Sequence, residues 1–282
     1  MGLHNKISVV FLMGLVIAMS GCTLDSGGES IIAAGTQGVY IEYFGPDVEY
    51  PISDQDITLE TRLRNVGGAE ASNIDSTLYL LSWDTINSQN ACASGLKPPN
   101  AEIGRDGEEC KVTDDTTTPE VTETQTYNVG VHIDYDYTTT TVATVYAFSE
   151  NEYAKLKERG ETIPTVKDIK NSAAPIQIEV RVPNVLKTDD PVPVTLIFRN
   201  VGDGNVRYDD QHYIIDTAEV RINGEYLDTC RDIRMKGGRE RSCTVQMDIP
   251  AGEEVKLPIK IITSYTYVIS AETKIVVHPP LT

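Results

Sequence analysis

The sequence predicts an all-β protein, and three observations support this fold class. Runs in which apolar and polar residues alternate recur along the 282 residues, as expected of strands that are buried on one face. Thr, Val, Ile and Tyr are frequent, whereas long runs of helix-forming residues are scarce. The motif Asn-Val-Gly ends two of the alternating runs, at Asn65 and at Asn200. Because the copies lie about 135 residues apart, one unit is expected to occur twice.

The N-terminus predicts export. Residues 1–22 begin with the positive charge of Lys6 and continue with a short apolar run at 8–19, too short to span a bilayer. This segment ends in Met-Ser-Gly-Cys and resembles a lipoprotein signal, which implies lipidation of Cys22. Plain secretion with a free Cys22 and an uncleaved anchor helix remain alternatives. Residues 23–38 are small and polar, and they predict a flexible tether.

The first predicted domain covers residues 39–148. Its clearest strand precedes Asn65, where Ile57, Leu59, Thr61 and Leu63 share one face. Other strands are expected in four alternating or β-rich segments: 39–44, 76–83, 121–134 and 138–148. A long excursion at 84–119 interrupts them.

Residues 149–174 interrupt the strand pattern and predict a connector. A short helix is expected at 152–159, capped by Ser149 or Asn151 and ended by Gly160.

The second predicted domain covers residues 175–278. Val192, Val194, Leu196 and Phe198 share one strand face before Asn200, and Asn223-Gly224 is typical of a two-residue hairpin turn. The other predicted strands are 176–182, 218–222, 225–235, 239–249, 257–264 and 269–277.

A second motif supports the duplication. Tyr135-Asp136-Tyr137 resembles Tyr265-Thr266-Tyr267, and a strand rich in Thr, Val and Ile follows each copy. The same order of features therefore occurs twice: a strand, Asn-Val-Gly, a cysteine pair, Tyr-x-Tyr and a last strand. Two domains of about 100 residues, each with about seven short strands, predict tandem immunoglobulin-like β-sandwiches joined by the helical connector.

The strand endings Leu-Arg-Asn-Val-Gly at 63–67 and Phe-Arg-Asn-Val-Gly at 198–202 resemble the Asn-x-Gly signature of CARDB-type domains. The duplicated layout is similar to that of archaeal or bacterial cell-surface lipoproteins. The resemblance covers most of residues 39–278. It implies an extracellular structural or adhesive role and no defined active site.

Four cysteines remain when Cys22 is set aside, and in an exported chain an even number predicts disulfides. Three connectivities are possible. Pairing of Cys92 with Cys110 and of Cys230 with Cys243 is favoured, because each pair falls within one repeat. Cys230 and Cys243 are also equidistant from the turn at 236–237, so a tight hairpin would place them directly opposite each other.

The net charge of −18 excludes a nucleic-acid partner, since phosphate binding needs a basic surface. Residues 23–150 contain 22 acidic and 5 basic residues, whereas residues 151–282 contain 20 acidic and 18 basic residues. The acidic first part is interpreted either as solvated loops or as a face for cations or a basic partner.

A basic segment stands out against this background. Between Cys230 and Cys243 lie two acidic and five basic residues; the basic ones are Arg231, Arg234, Lys236, Arg239 and Arg241. One interpretation is a solvated hairpin tip that protects a sheet edge. The other is a contact surface for a partner protein, an anionic surface polymer or lipid headgroups.

Candidate catalytic and metal residues are few. The sequence has no nucleophile motif, no phosphate-binding glycine loop and no HExxH, so an enzyme and a cofactor are not expected. Calcium is an alternative, since Asp203, Asp209 and Asp210 fall in one inter-strand loop.

The expected function is that of an exported module anchored to the outer face of the cytoplasmic membrane, with a structural, adhesive or binding role. The alternative is a recognition subunit of a surface assembly, such as a transporter or a filament. Neither hypothesis requires a catalytic site.

Overall fold

The computed structural model of the chain describes residues 36–83, 89–90, 92–188, 191–209 and 212–280. The predicted signal segment and most of the tether lie outside these residues.

The strands of the first half are β1 (Val39–Pro46), β2 (Asp56–Asn65), β3 (Ser72–Tyr79), β4 (Gln89–Asn90), β5 (Glu109–Thr117) and β6 (Gln125–Phe148). A 3₁₀ turn (Ala101–Ile103) precedes β5, and α1 (Glu150–Glu158) and β7 (Val166–Asn171) connect the halves. The second half contains β8 (Ile176–Arg181), β9 (Pro191–Asn200), β10 (Asn205–Val206), β11 (Tyr208–Asp209), β12 (His212–Ile222), β13 (Glu225–Met235), β14 (Glu240–Asp248) and β15 (Glu254–Val277).

The all-β prediction is confirmed: the strands form three antiparallel sheets. One sheet has nine strands, with β15 and β6 adjacent at its centre. The other two have three strands each, in the orders β1-β2-β5 and β14-β9-β8. All of these strands belong to one compact unit, Ile32–Thr282. The domain boundaries at 39–148 and 175–278 stay a prediction.

The central ladder is longer than expected. β6 and β15 each have 24 residues and pair along their whole lengths, from Gln125 with Val277 to Phe148 with Glu254. The sequence predicts two separate strands on either side of each Tyr-x-Tyr motif, and this prediction is wrong. Burial continues to alternate through the motif, because each tyrosine pair faces the core on the same side as its odd-numbered neighbours.

The ladder relates the halves by a local two-fold axis. Asp136 pairs with Thr266, Tyr135 with Tyr267 and Tyr137 with Tyr265. Since the repeat aligns Tyr135 with Tyr265 and Tyr137 with Tyr267, each tyrosine lies opposite the non-equivalent tyrosine of the other half. The four rings are fully buried and contact one another, with centroids 5.8–6.4 Å apart.

The small sheets cover one face of the large sheet. The Tyr135 hydroxyl accepts a hydrogen bond from Val39 N of β1 at 3.2 Å, and the Thr139 hydroxyl donates to the Ile176 carbonyl of β8 at 2.9 Å. Both predicted strand faces, on β2 and on β9, point into these cores and are buried. The opposite side of the nine-stranded sheet, on which the even-numbered residues of β6 and β15 lie, is here named the outer face.

Both predicted disulfides are confirmed. Each one joins a strand or loop of the large sheet to a strand of a small sheet, and neither joins two paired strands of one hairpin. Cys230 lies on β13 of the large sheet, and Cys243 lies on β14, which pairs with β9; their Cα atoms are 6.1 Å apart. Cys92 follows β4 of the large sheet and bonds to Cys110 on β5. The expectation that Cys230 and Cys243 face each other within one ladder was wrong, because beyond the Lys236–Glu240 bridge the two arms pair with different sheets.

The connector contains the predicted helix and an additional strand. The helix begins at Glu150, two residues earlier than expected, because the Ser149 side chain caps it by accepting from Glu152 N at 3.3 Å. β7 was not predicted. It pairs with β6 although most of its residues are exposed, so its sequence lacks the alternation of a half-buried strand.

Candidate functional site: a basic and aromatic cavity

The predicted basic segment forms the end of the β13–β14 hairpin. The turn between the strands closes with hydrogen bonds from Lys236 N to the Glu240 carbonyl at 3.1 Å and from Arg239 N to the Lys236 carbonyl at 3.2 Å. Gly237 and Gly238 both have positive φ, at 56° and 71°, a conformation that favours glycine. A Cβ on Gly238 would lie 2.7 Å from Asn205 Oδ1 and 3.4 Å from the Tyr213 ring. The turn is therefore held closely against β10 and β12.

Two tyrosines that were not among the predicted site residues lie beside this turn. Tyr208 on β11 pairs with Tyr213 on β12, and their ring centroids are 5.0 Å apart. Tyr208 is 58% exposed, an unusually open position for a large aromatic ring. A usable signal was present: the two tyrosines are equidistant from the midpoint of Asp210 and Gln211, as expected of residues that pair across a short hairpin.

The turn and the tyrosine pair border an open cavity of about 640 Å³, here named the tip cavity. It is lined by Tyr208, Tyr213, Arg234, Met235, Lys236, Gly237 and Arg241. Three of the five predicted basic residues therefore converge on one site. Arg231 and Arg239 are also exposed but do not line it.

The basic side chains of this site are not neutralised by the chain itself. Across the residues that the structure describes, no carboxylate lies within ion-pair distance of Arg234, Lys236, Arg239 or Arg241. Glu240, which lies between Arg239 and Arg241 in the sequence, accepts instead from Arg199 Nε at 2.7 Å. Arg199 in turn also pairs with Glu179 at 3.1 Å. The tip cavity consequently keeps its positive charge in a strongly acidic protein.

Guanidinium, ammonium and phenol groups in one open cavity can bind an anion that also carries a ring. Arginine forms paired hydrogen bonds with carboxylate or sulfate groups, and lysine adds a point charge. The tyrosine rings offer a flat apolar surface with a polar edge. The cavity has the size of a typical small-ligand site.

The predicted metal residues do not form a described site. Asp203 accepts a hydrogen bond from the Gln37 side chain, whereas the side chain of Asp209 and all of Asp210 lie outside the described residues. Where the structure describes the chain, no group of three or more His, Cys, Asp or Glu residues could hold a metal ion. Calcium binding at this loop stays a prediction.

The strongest pKa shifts belong to the core and not to the tip cavity. Burial raises the pKa of Tyr137 to about 12 and raises the pKa values of Tyr265 and Tyr267 further. These hydroxyls bond to Ala69 N, Thr139 and Asn200, respectively. They are thus partners in structural hydrogen bonds.

Membrane attachment stays a prediction, and the segment on which it rests lies outside the described residues. Cys22, the predicted lipidation site, lies there. In the described ranges no helix has the length and apolar character needed to cross a membrane. The two disulfides are typical of an oxidising, extracytoplasmic environment.

Comparisons with protein-family models, with curated proteins and with solved structures found no match to this chain. The resemblance to CARDB-type domains stays a prediction that rests on the two Asn-Val-Gly motifs.

Proposed function

We propose that this chain is a non-enzymatic binding module of the cell surface, held at the membrane by its N-terminal segment, and that its tip cavity binds an anionic surface polysaccharide. One observation carries the proposal. Arg234, Lys236 and Arg241 converge without a carboxylate partner among the described residues, next to the exposed ring of Tyr208.

An acidic sugar fits this combination better than a small inorganic anion does. Its carboxylate or sulfate groups would pair with the arginines, and its ring would pack on Tyr208 and Tyr213. A polymer also suits an open cavity at the end of a hairpin, because neighbouring sugar units can continue beyond it. Arg231 and Arg239, exposed on the same hairpin, would add attraction along the polymer.

The rigidity of the site supports a binding role. The Cys230–Cys243 disulfide joins the two arms of the hairpin, which pair with different sheets, and Gly238 lies against Tyr213. The cavity is thereby formed before a ligand arrives, which lowers the entropic cost of binding.

Affinity electrophoresis of residues 32–282 through gels that contain polygalacturonate, chondroitin sulfate or neutral dextran tests the proposal. All described strands and both disulfides lie within this unit, so it is expected to fold by itself. We expect retardation by an acidic polymer and none by dextran. The double variant Arg234→Glu/Arg241→Glu should abolish it, whereas the matched variant Arg159→Glu/Arg181→Glu, with the same change in net charge, should retain it. Equal losses in both variants would show that only net charge matters and would refute the site.

A further inference from the structure

A second cationic cavity lies on the outer face of the nine-stranded sheet, near the end of the central ladder. It encloses about 410 Å³, and we name it the outer-face cavity. Its basic lining residues are Lys170, Arg221 and Lys260, and Val142 and Pro258 contribute apolar surface. None of these residues contributes to the tip cavity.

The strand register explains how the charges meet. Lys170 on β7 pairs with Val142 on β6, Val142 pairs with Lys260 on β15, and Lys260 pairs with Arg221 on β12. One row across four strands thus carries three cations. Lys260 and Arg221 are directly opposite each other, an arrangement of like charges that destabilises a sheet. The ion pair of Glu219 with Arg221 at 3.4 Å offsets part of this repulsion, and a bound anion would compensate for the rest.

The positive charge extends beyond the cavity. Lys167 and Lys256 both lie over the ring of Tyr146, with each ammonium 5.6 Å from its centroid. Three acidic residues are close by: Glu219 pairs with Arg221 at 3.4 Å, Glu254 pairs with Lys256 at 3.1 Å, and Asp168 lines the cavity. Lys167, Lys170 and Lys260 have no ion-pair partner among the described residues. Five cations against three acids leave this end of the face positive.

The acidic residues at the centre of the same face lie too far away to cancel this field. Asp136 is six residues from Val142 along β6, which corresponds to about 20 Å at a rise of about 3.3 Å per residue. The Debye length at physiological salt is about 8 Å, so the two regions act separately. The face therefore has a basic end and an acidic centre.

We propose that this basic end of the outer face docks on an anionic membrane surface and that the outer-face cavity takes the phosphate of a lipid headgroup. The proposal rests on the proposed membrane anchoring, which would hold the chain near lipid. Its chemistry is that of an interfacial surface: long lysine side chains surround apolar residues, and Val142 is 42% exposed.

Vesicle co-sedimentation tests the proposal with residues 32–282, which lack both the predicted apolar signal and Cys22. We expect binding to phosphatidylcholine vesicles that contain phosphatidylglycerol, little binding to pure phosphatidylcholine, and weakening by salt. The variant Lys170→Glu/Lys260→Glu should weaken binding by at least about twenty-five-fold, since each of the two basic residues that it removes contributes about fivefold to affinity near an anionic surface. This variant should fold, because Glu at position 260 faces Arg221 as an opposite charge.

Two matched variants and one soluble probe complete the test. Lys155→Glu/Lys157→Glu on the exposed helix α1 makes the same charge change and should leave vesicle binding intact. Arg234→Glu/Arg241→Glu should also leave it intact, so a failure of polysaccharide binding and a failure of membrane docking are told apart. Loss of vesicle binding in all three variants would overturn the proposal. NMR would show whether glycerol phosphate binds at Lys170 and Lys260. Binding of this soluble probe without any binding to vesicles would also overturn the proposal.

Discussion

The Tyr267 hydroxyl donates a hydrogen bond to Asn200 Oδ1 at 2.8 Å and so joins the two recurring motifs of the second half. The same Oδ1 accepts from Gly202 N, and Nδ2 of this side chain donates to the Gly204 carbonyl. In the first half Asn65 makes the equivalent bonds to Gly67 N and to the Ala69 carbonyl. The asparagine is therefore more than a turn former, because it holds its loop to the central ladder.

Removing the tyrosine hydroxyls should destabilise the fold to different degrees. Tyr267→Phe deletes one donor to Asn200 and should cost about 1 kcal/mol, whereas Tyr137→Phe leaves Ala69 N without its acceptor and should cost about 1–3 kcal/mol. Urea unfolding followed by circular dichroism measures both. Tyr146→Phe is the control, since it keeps the ring beneath the two lysines and should be nearly neutral. If all three variants unfold alike, the hydroxyls do not hold the loops.

Asp114 should make stability depend on pH. It is only 3% exposed, its Oδ2 lacks a hydrogen-bond partner in the described structure, and burial together with neighbouring Asp115 raises its pKa. The folded state therefore binds this proton more tightly than the unfolded state does. Its stabilising contribution is complete below the unfolded pKa of about 3.9 and is lost as pH rises through the higher folded pKa.

Asp114→Asn should accordingly match the wild type near pH 3 and exceed it at neutral pH by about 1–2 kcal/mol. Urea unfolding across this pH range measures the difference. Asp54→Asn, at an exposed turn position with φ of 59°, should show no such pH-dependent gain. A destabilised Asp114→Asn protein at neutral pH would mean that the carboxylate has a favourable role in the fold.

The two disulfides should contribute equally to stability but unequally to binding. They close segments with sequence separations of 18 and 13 residues, so replacing either pair by serine should cost about 3 kcal/mol. Only the Cys230→Ser/Cys243→Ser protein should also lose polysaccharide retardation, because this pair supports the tip cavity. Thermal unfolding and affinity electrophoresis of both variants at a temperature where each remains folded test this expectation. Equal loss of binding in the two proteins would contradict it.

Alanine variants of Gly237 and Gly238 should distinguish the cost of backbone strain from the cost of lost packing at the hairpin turn. Gly237→Ala meets no atom within 4 Å and should cost only the strain of a positive φ, about 1 kcal/mol. Gly238→Ala adds contacts with Asn205 and Tyr213, so it should cost more and also weaken ligand binding. Melting temperatures and electrophoretic retardation of the pair give the comparison. Identical behaviour would indicate that the turn does not pack against Tyr213.

Local patterns in the sequence predicted local features well. The alternation in 57–63 and 192–198 identified core faces, and the cysteine spacing identified both disulfides. Ser149 was one of two predicted caps for the helix, whose start was expected two residues too late. Each of these depends on residues close in sequence, for which periodicity and capping rules apply.

The long-range arrangement was beyond such rules. Nothing local distinguishes two separate sandwiches from two halves that share a sheet, because β6 has the same alternation whichever strand it pairs with. The tip cavity likewise forms only where the β11–β12 and β13–β14 hairpins meet. The basic residues were therefore predictable, whereas Tyr208 and Tyr213 as their neighbours were not.

The shared ladder also has a mechanical consequence. Two domains joined by a flexible linker would swing independently, but here 24 consecutive residue pairs span about 80 Å as one stiff strut. A pulling force applied to one half is therefore transmitted to the other half through the paired strands, with no flexible linker to extend first. The molecule would thus act as a bracket of fixed length, which keeps whatever its two ends hold at a constant distance.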